Sequence, residues 1–207
     1  MQPIAALYVQ KRGAYAGLVG VDPWYEERDA RRYAGPYPVV AHPPCQRWGR
    51  YWQGGPSAVV KHEKGADGGC FAAALAAVRR FGGVLEHPAA TSAWEHHGIR
   101  RPPVGGGWVE AGDGVGYTAS VEQGHYGHRA RKATWLYVAG VASSLLPELV
   151  WGPSDAELEH RPTTSEEGRL KERRRGAIER MSQRERAATP AAFRDVLVDL
   201  ARKAERR

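Results

Sequence analysis

The stretch Val39-Val40-Ala41-His42-Pro43-Pro44-Cys45-Gln46-Arg47-Trp48 runs an apolar segment into two prolines and then presents a single cysteine. A short apolar run rich in β-branched residues and bounded by turn formers predicts a buried strand. The two prolines fix φ, restrict the residues before them and remove two backbone donors, so the turn that carries Cys45 has few alternative conformations. In open α/β sheets the chemistry lies just beyond the carboxyl ends of the strands, and Cys45 falls there.

The segments on either side decide the fold class. Pro3 to Val9 (PIAALYV) predicts a first buried strand, followed by a glycine-punctuated stretch, Gly13 to Gly20, that ends in Val21-Asp22-Pro23-Trp24 and reads as a loop or short hairpin. Glu26 to Tyr33 predicts a short charged helix stopped by Gly35-Pro36, and Tyr37 to Ala41 the second strand. Arg47 to Gly69 is rich in glycine and aromatic residues and reads as a long loop over a site. Cys70 to Phe81 (CFAAALAAVRRF) has strong helix propensity and is closed by Gly82-Gly83. Val84-Leu85-Glu86 is a short strand entering His87-Pro88, and beyond a glycine-rich connector, Gly98 to Gly116, two more strands follow at Thr118–Glu122 and Ala133–Val138. The recurring order of strand, helix and strand predicts an α/β fold, an open, mainly parallel twisted sheet flanked by helices.

After Trp151-Gly152-Pro153 the composition changes. Ser165–Arg186 and Ala191–Lys203 read as helices, the second announced by Thr189-Pro190. The chain therefore divides into an α/β part over residues 1–152 and a basic helical segment over residues 153–207, whose Phe193, Val196, Leu197 and Leu200 offer an apolar face to the sheet.

The chain has 207 residues and 42% hydrophobic content, enough for one ordinary core with a helical appendage. It shows no apolar run near the ~18 residues of a membrane span and no charged-then-apolar leader, so a cytosolic protein without a membrane partner is expected. With 2 cysteines a disulfide framework is not expected, and reduced thiols are the default. The formal charge is +7, and residues 161–207 hold 14 Lys/Arg against 8 Asp/Glu while the remainder is nearly neutral. That excess favours a polyanionic partner, and Arg173-Arg174-Arg175 reads as a solvated helical face able to meet phosphate. His87, His96-His97 and His125-x-x-His128, with the two cysteines, form no recognised ligand spacing, so no metal is expected.

Cys45 admits two readings. As a nucleophile it needs its proton removed or its pKa lowered, and Arg47 and Arg50 lie close in sequence; as a small buried hydrophobe it needs nothing. Trp48, Tyr51 and Trp52 alternate with Arg47 and Arg50, a pattern that stacks on bases and holds phosphate when the loop is open, or packs the loop on the core when it is not.

Pro44-Cys45-Gln46 after an apolar strand, Glu86-x-Pro88 after the next, and a basic segment before a later strand together resemble the cytosine-5 DNA methyltransferases, and Tyr126 to Thr134 is similar to a version found in short phage-encoded members. The resemblance spans roughly Val39 to Val138. It implies a Rossmann-like methyltransferase sheet, a Cys45 thiolate that adds to carbon 6 of a flipped cytosine, and a Glu86 that contacts ring nitrogen 3. It also implies roles for Arg129 and Arg131 in the catalytic segment, with Gln123 and Lys132, like Arg47, Trp48 and Arg50, on the nucleic acid. S-adenosylmethionine is the implied cofactor. Its family loop, Phe-x-Gly-x-Gly, is replaced here by residues 10–17 (QKRGAYAG), which leaves Asp22 for the ribose, Trp24 for the adenine and Pro43 beside them. The family's Glu-Asn-Val or Glu-Asn-Pro is here Glu86-His87-Pro88. DNA or a pyrimidine nucleotide is the expected partner, in a bacterial or phage-infected cell. The chain has little room for a target-recognition domain, so specificity would be low or borrowed from another protein. Two other readings remain: pyrimidine carbon-5 chemistry without S-adenosylmethionine, and nucleic-acid binding without catalysis.

Overall fold

A computed structural model of the chain describes residues 2–54, 58–155 and 183–205. Its strands are β1 (Ile4–Leu7), β2 (Val21–Trp24), β3 (Val39–Ala41), β4 (Gly83–Pro88), β5 (Trp108–Glu110), β6 (Gly116–Glu122) and β7 (Ala133–Ala139). They form one sheet in the order β2-β1-β3-β4-β7-β6-β5. The pairings from β2 through β4 are parallel and those from β4 through β5 antiparallel, so the sheet is mixed, with its parallel half on one side only. The segment between β6 and β7 explains why: it holds a single 3₁₀ turn, Gln123–Tyr126, and no crossover helix, so the chain returns antiparallel.

Among the described residues four helices accompany the sheet: α1 (Cys70–Phe81), α2 (Ala93–His96), α3 (Gln183–Ala187) and α4 (Ala191–Arg202). Side chains alternate across each strand, so every strand feeds both faces. Leu7, Ala41, Leu85 and Tyr137 pack on one face against Phe71, Leu75 and Val78 of α1. Ile4, Val40, Val84 and Leu136 pack on the other against Phe193, Leu197 and Leu200 of α4. The last helix is thus built into the second core through the apolar face read from its sequence, with Val196 partly buried beside it.

Three local expectations are corrected. Val21–Trp24 is a strand rather than a loop; Pro23 is tolerated because β2 is the sheet edge. Glu26–Arg28 and Ala30–Arg32 are two 3₁₀ turns rather than one helix, split at Asp29, whose φ of 47° is left-handed. The glycine-rich connector contains the strand β5. Of the helix expected over Ser165–Arg186 only the end is described, as part of α3, and Arg173-Arg174-Arg175 lie outside the described residues. Gly83 opens β4 at φ 121°, where a Cβ would strike the backbone of Val39 on the neighbouring strand. Among the described residues no helix is long and apolar enough to cross a membrane.

The placement of α4 is directly testable. Leu197→Ala removes a fully buried side chain between helix and sheet and is expected to cost about 2–5 kcal/mol in urea unfolding. Ala192→Ser, on the exposed side of the same helix, should stay within about 0.5 kcal/mol of the parent. Equal effects would mean that α4 does not close the second core.

Candidate active site

The parallel register sets the site. Leu7 pairs with Ala41, and Ala41 with Leu85, so Tyr8 and His42, just past their strands, and Glu86, two residues before the end of β4, lie at one level. Val40 and Val84 face α4, and alternation turns His42 and Glu86, two residues later, to that same side. His87 takes the opposite side, where it stacks on Trp94 and meets Phe71 edge-on, its Nδ1 bonded to Thr91 Oγ1 at 2.8 Å.

Glu86 is held at both oxygens. His42 Nδ1 donates to Oε2 at 3.0 Å, and Gln123 Nε2 donates to Oε1 at 3.1 Å while also reaching Thr134 Oγ1 at 2.9 Å. The far side of the His42 ring, Nε2, lies 2.8 Å from the Tyr15 hydroxyl. Tyr15, Glu86 and Gln123 are all buried. Burial alone would raise the Glu86 carboxyl, but the hydrogen bond and charge of His42 outweigh it, aided by Lys132 and His87, and hold the group well below the usual carboxylate range. Burial raises the Tyr15 hydroxyl well above its ordinary value, and Glu86 adds to this.

Cys45 sits in the same pocket with the opposite problem. Burial pushes its thiol up and the charge of Glu86 pushes it further, while a backbone hydrogen bond and Lys132 pull it down. Burial lowers the Lys132 ammonium, and Glu86 and Cys45 hold it up. Its Nζ donates to the Ala188 carbonyl at 2.9 Å, which ties the segment between α3 and α4 to the site.

These groups line one half-open cavity of roughly 1860 Å³. Its cations are Arg12, Arg131, Lys132, Arg186 and Arg194, against only Glu86 and Glu122, and both of those acids are buried. Glu122 is committed to the backbone amides of Gly124 and Lys132. The wall that a substrate meets is therefore strongly positive.

Of the residues singled out from sequence, the structure brings together Cys45, Glu86, Arg131, Lys132 and Pro43. Gln123 is fully buried and bonded to Glu86, so it supports the carboxylate rather than meeting nucleic acid. Trp48 is buried, with Nε1 on Asp67 at 2.8 Å and its ring against Phe71, His96 and His97, so it anchors the long loop and offers no stacking face. Asp67 also accepts from the amides of Gly69 and Phe71 at the start of α1, which makes it the hub that sequence reasoning missed in this loop. Arg47 donates to the Trp52 carbonyl and Arg50 lies over Tyr51; of this loop, exposed Tyr51 and Gln46 reach the cavity. Arg129 pairs with Glu185 and lines a separate, smaller pocket.

Asp22 and Trp24 do not reach the cavity. Trp24 Nε1 donates to Asp22, and Arg28 both pairs with that carboxylate and covers the indole at 4.0 Å. Just past β1, Tyr8 adopts φ 61° and donates its hydroxyl to the Cys70 carbonyl at 3.0 Å. The residues present at the ends of β1 and β2 do not fit the S-adenosylmethionine contacts that the resemblance implies. Among the described residues no group of three His, Cys, Asp or Glu side chains is placed to hold a metal ion.

Sequence reasoning passed over His42 and Tyr15. His42 carried a signal, since a period of two from Val40 in a strand points it to the side of Glu86; Tyr15 carried none. Comparison with protein-family models, curated proteins and solved structures returns no match.

The electrostatics give a signed prediction for the Cys45 thiol, read by iodoacetamide alkylation and intact mass in a Cys70→Ser background. Glu86→Gln removes a negative charge that raises the thiol, so alkylation at pH 8 is expected to quicken by on the order of three- to tenfold, each unit of pKa being about a tenfold change in thiolate. Lys132→Met should slow it by a similar factor. Unchanged rates in both would sever Cys45 from its charged neighbours.

Proposed function

We propose that this protein modifies pyrimidines at carbon 5, with cytosine in DNA as the preferred target, through a covalent bond from Cys45 to carbon 6. The observation that carries the reading is that Cys45 and Glu86, from the ends of adjacent parallel strands, face one cavity walled by cations. A pyrimidine ring is a poor electrophile, and attack at carbon 6 becomes feasible when positive charge or a proton is supplied at nitrogen 3. Thiolate addition with protonation there leaves carbon 5 electron-rich and ready for an electrophile. The α/β sheet, with its chemistry at the carboxyl ends of parallel strands, is in keeping with a Rossmann-like methyltransferase type.

Each residue then has a task. Pro43 and Pro44 aim the thiol, Lys132 favours its ionised form, and Glu86 serves ring nitrogen 3 while Gln123 fixes its carboxyl plane. Arg131, Arg186 and Arg194 meet phosphate. A base reaches Cys45 only after leaving its stack, at a few kcal/mol, and exposed Tyr51 at the cavity rim is placed to stack on it. S-adenosylmethionine is the methyl donor that the resemblance implies; Asp22 and Trp24 are engaged with each other, so no step here is routed through it.

Carbon-5 hydrogen exchange tests the adduct without any donor. Wild-type protein incubated with DNA tritiated at cytosine carbon 5 should release tritium to water. Cys45→Ser should abolish release while keeping DNA affinity, and Glu86→Gln should cut it by ~100- to 10,000-fold. Single-stranded DNA and free cytidine and uridine monophosphates run in parallel identify the substrate form, and added S-adenosylmethionine tests for methyl transfer. A folded wild type that releases no tritium from any of these would reject the adduct reading.

A further inference from the structure

Glu86 enters the proposed reaction as an acid, yet both of its oxygens accept hydrogen bonds in a charged network that favours the carboxylate. A proton must therefore be delivered to it. His42 lies against Oε2 through Nδ1, and its other nitrogen is taken by the Tyr15 hydroxyl. We propose that Tyr15, His42 and Glu86 form a proton-delivery unit, in which Tyr15 fixes the His42 ring and His42 loads the carboxyl that serves the substrate. The inference rests on the reading of Cys45 and Glu86 given above.

In the proposed imidazolium both ring nitrogens carry protons, so Nε2–H donates to the Tyr15 hydroxyl and the proton facing Glu86 on Nδ1 is the mobile one. In the forward step the Nδ1–H bond breaks and an Oε2–H bond forms. Cys45 releases its thiol proton to solvent, and the carboxyl proton passes to ring nitrogen 3 as the thiolate Sγ bonds to carbon 6, leaving His42 neutral and Glu86 ionised. Electron-rich carbon 5 of the adduct then takes a proton from solvent; on collapse the original carbon 5 proton leaves to solvent, the sulfur–carbon bond breaks with its electron pair returning to sulfur, and the proton on nitrogen 3 returns through Glu86 to His42. No oxidant or co-reactant is required.

The unit is enclosed by groups from every neighbouring element. Tyr15 comes from the loop after β1, Cys45 from the turn of His42 itself, and Glu86 and His87 from β4; Lys132 approaches from the segment before β7. Arg194 and Asp195 of α4 act on Tyr15 from behind, where Arg194 also donates to the Ala14 carbonyl at 3.0 Å. His42 and Tyr15 are positioning residues in this scheme because they act through Glu86.

Two measurements test it, one independent of any substrate. In ¹⁵N-labelled protein alone, the His42 ring proton bonded to Glu86 should appear as a downfield signal in slow exchange with water. It should vanish in His42→Gln, move upfield in Glu86→Gln, and exchange faster in Tyr15→Phe, which keeps the packing but frees the ring. Its absence from the wild type, or its indifference to Tyr15→Phe, overturns the unit. The second measurement is the pH profile of tritium release. His42→Gln preserves volume and hydrogen bonding but carries no mobile proton, so release should fall by ~100- to 10,000-fold and lose the limb on which it declines as pH rises, since the scheme uses the protonated ring. Tyr15→Phe should lower kcat by on the order of tenfold with KM unchanged, as for other outer hydrogen-bond partners. A His42→Gln protein with the wild-type rate and profile would make His42 a packing residue and overturn the proposal. An inactive wild type that shows the bonded proton would support the proton unit and reject the pyrimidine reading instead.

Discussion

The in-register pairing of Leu7, Ala41 and Leu85 is the constraint on which the rest depends. It brings the exits of β1 and β3 level with Glu86 in β4 and, through alternation, decides which side chains meet. A slip of one residue in β3 would send His42 to the α1 face and expose Val40 to the wrong core. The register is protected from such a slip because both faces of the parallel strands are buried, Val40 and Val84 against α4 and Ala41 and Leu85 against α1. The hydrophobic core thus specifies the polar site without touching its chemistry.

A buried carboxylate is costly to keep, and this one is kept by completing its partners. Transfer of an isolated charge from water into the interior carries several kcal/mol, which an ion pair offsets only when the remaining lone pairs are satisfied. Glu86 meets that condition through His42 and Gln123, and Gln123 in turn is steadied by Thr134 on β7. The antiparallel half of the sheet therefore serves the site: it supplies the second shell of Glu86 and carries Lys132 and Arg131 to the cavity on the strand's entering segment. The C-terminal helix closes the same region from the other side, with Phe193 in the core and Arg194, its neighbour in sequence, at the cavity. A segment that composition alone marks as an appendage is in this way part of both the core and the site.

The sequence was legible where one strong local signal acted alone. Cys70–Phe81 has matching bounds because an alanine-rich run followed by two glycines leaves no competing conformation. The strand at Val39–Ala41 and its proline turn were equally plain. Legibility failed where tertiary contacts overrode local chemistry. Val21–Trp24 is a strand only because the edge of β1 accepts it, and Trp108–Glu110 only because β6 does. Trp48 has the composition of a base-stacking residue, but Asp67 and a cluster of rings claim it first. In the site, Cys45 and Glu86 were visible because they sit at strand ends marked by proline. Tyr15 was not, since it enters from an irregular loop whose course is set by packing on α4 rather than by any periodic signal.

The arrangement also orders the chemistry. Glu86 raises the cost of ionising Cys45, and Lys132 is the cation that acts on both. While Glu86 is a carboxylate the thiol is held in its protonated form. Once the carboxyl gains a proton, the charge opposing Cys45 is gone and Lys132 acts on the thiol alone. In the proposed reaction, proton uptake at Glu86 and thiolate formation at Cys45 would therefore favour each other, so the event that makes the ring electrophilic would also release the nucleophile. The phosphate of a bound substrate would oppose this by adding negative charge nearby. The arginines at the cavity wall answer that opposition, because each phosphate they neutralise is one that Lys132 does not have to serve.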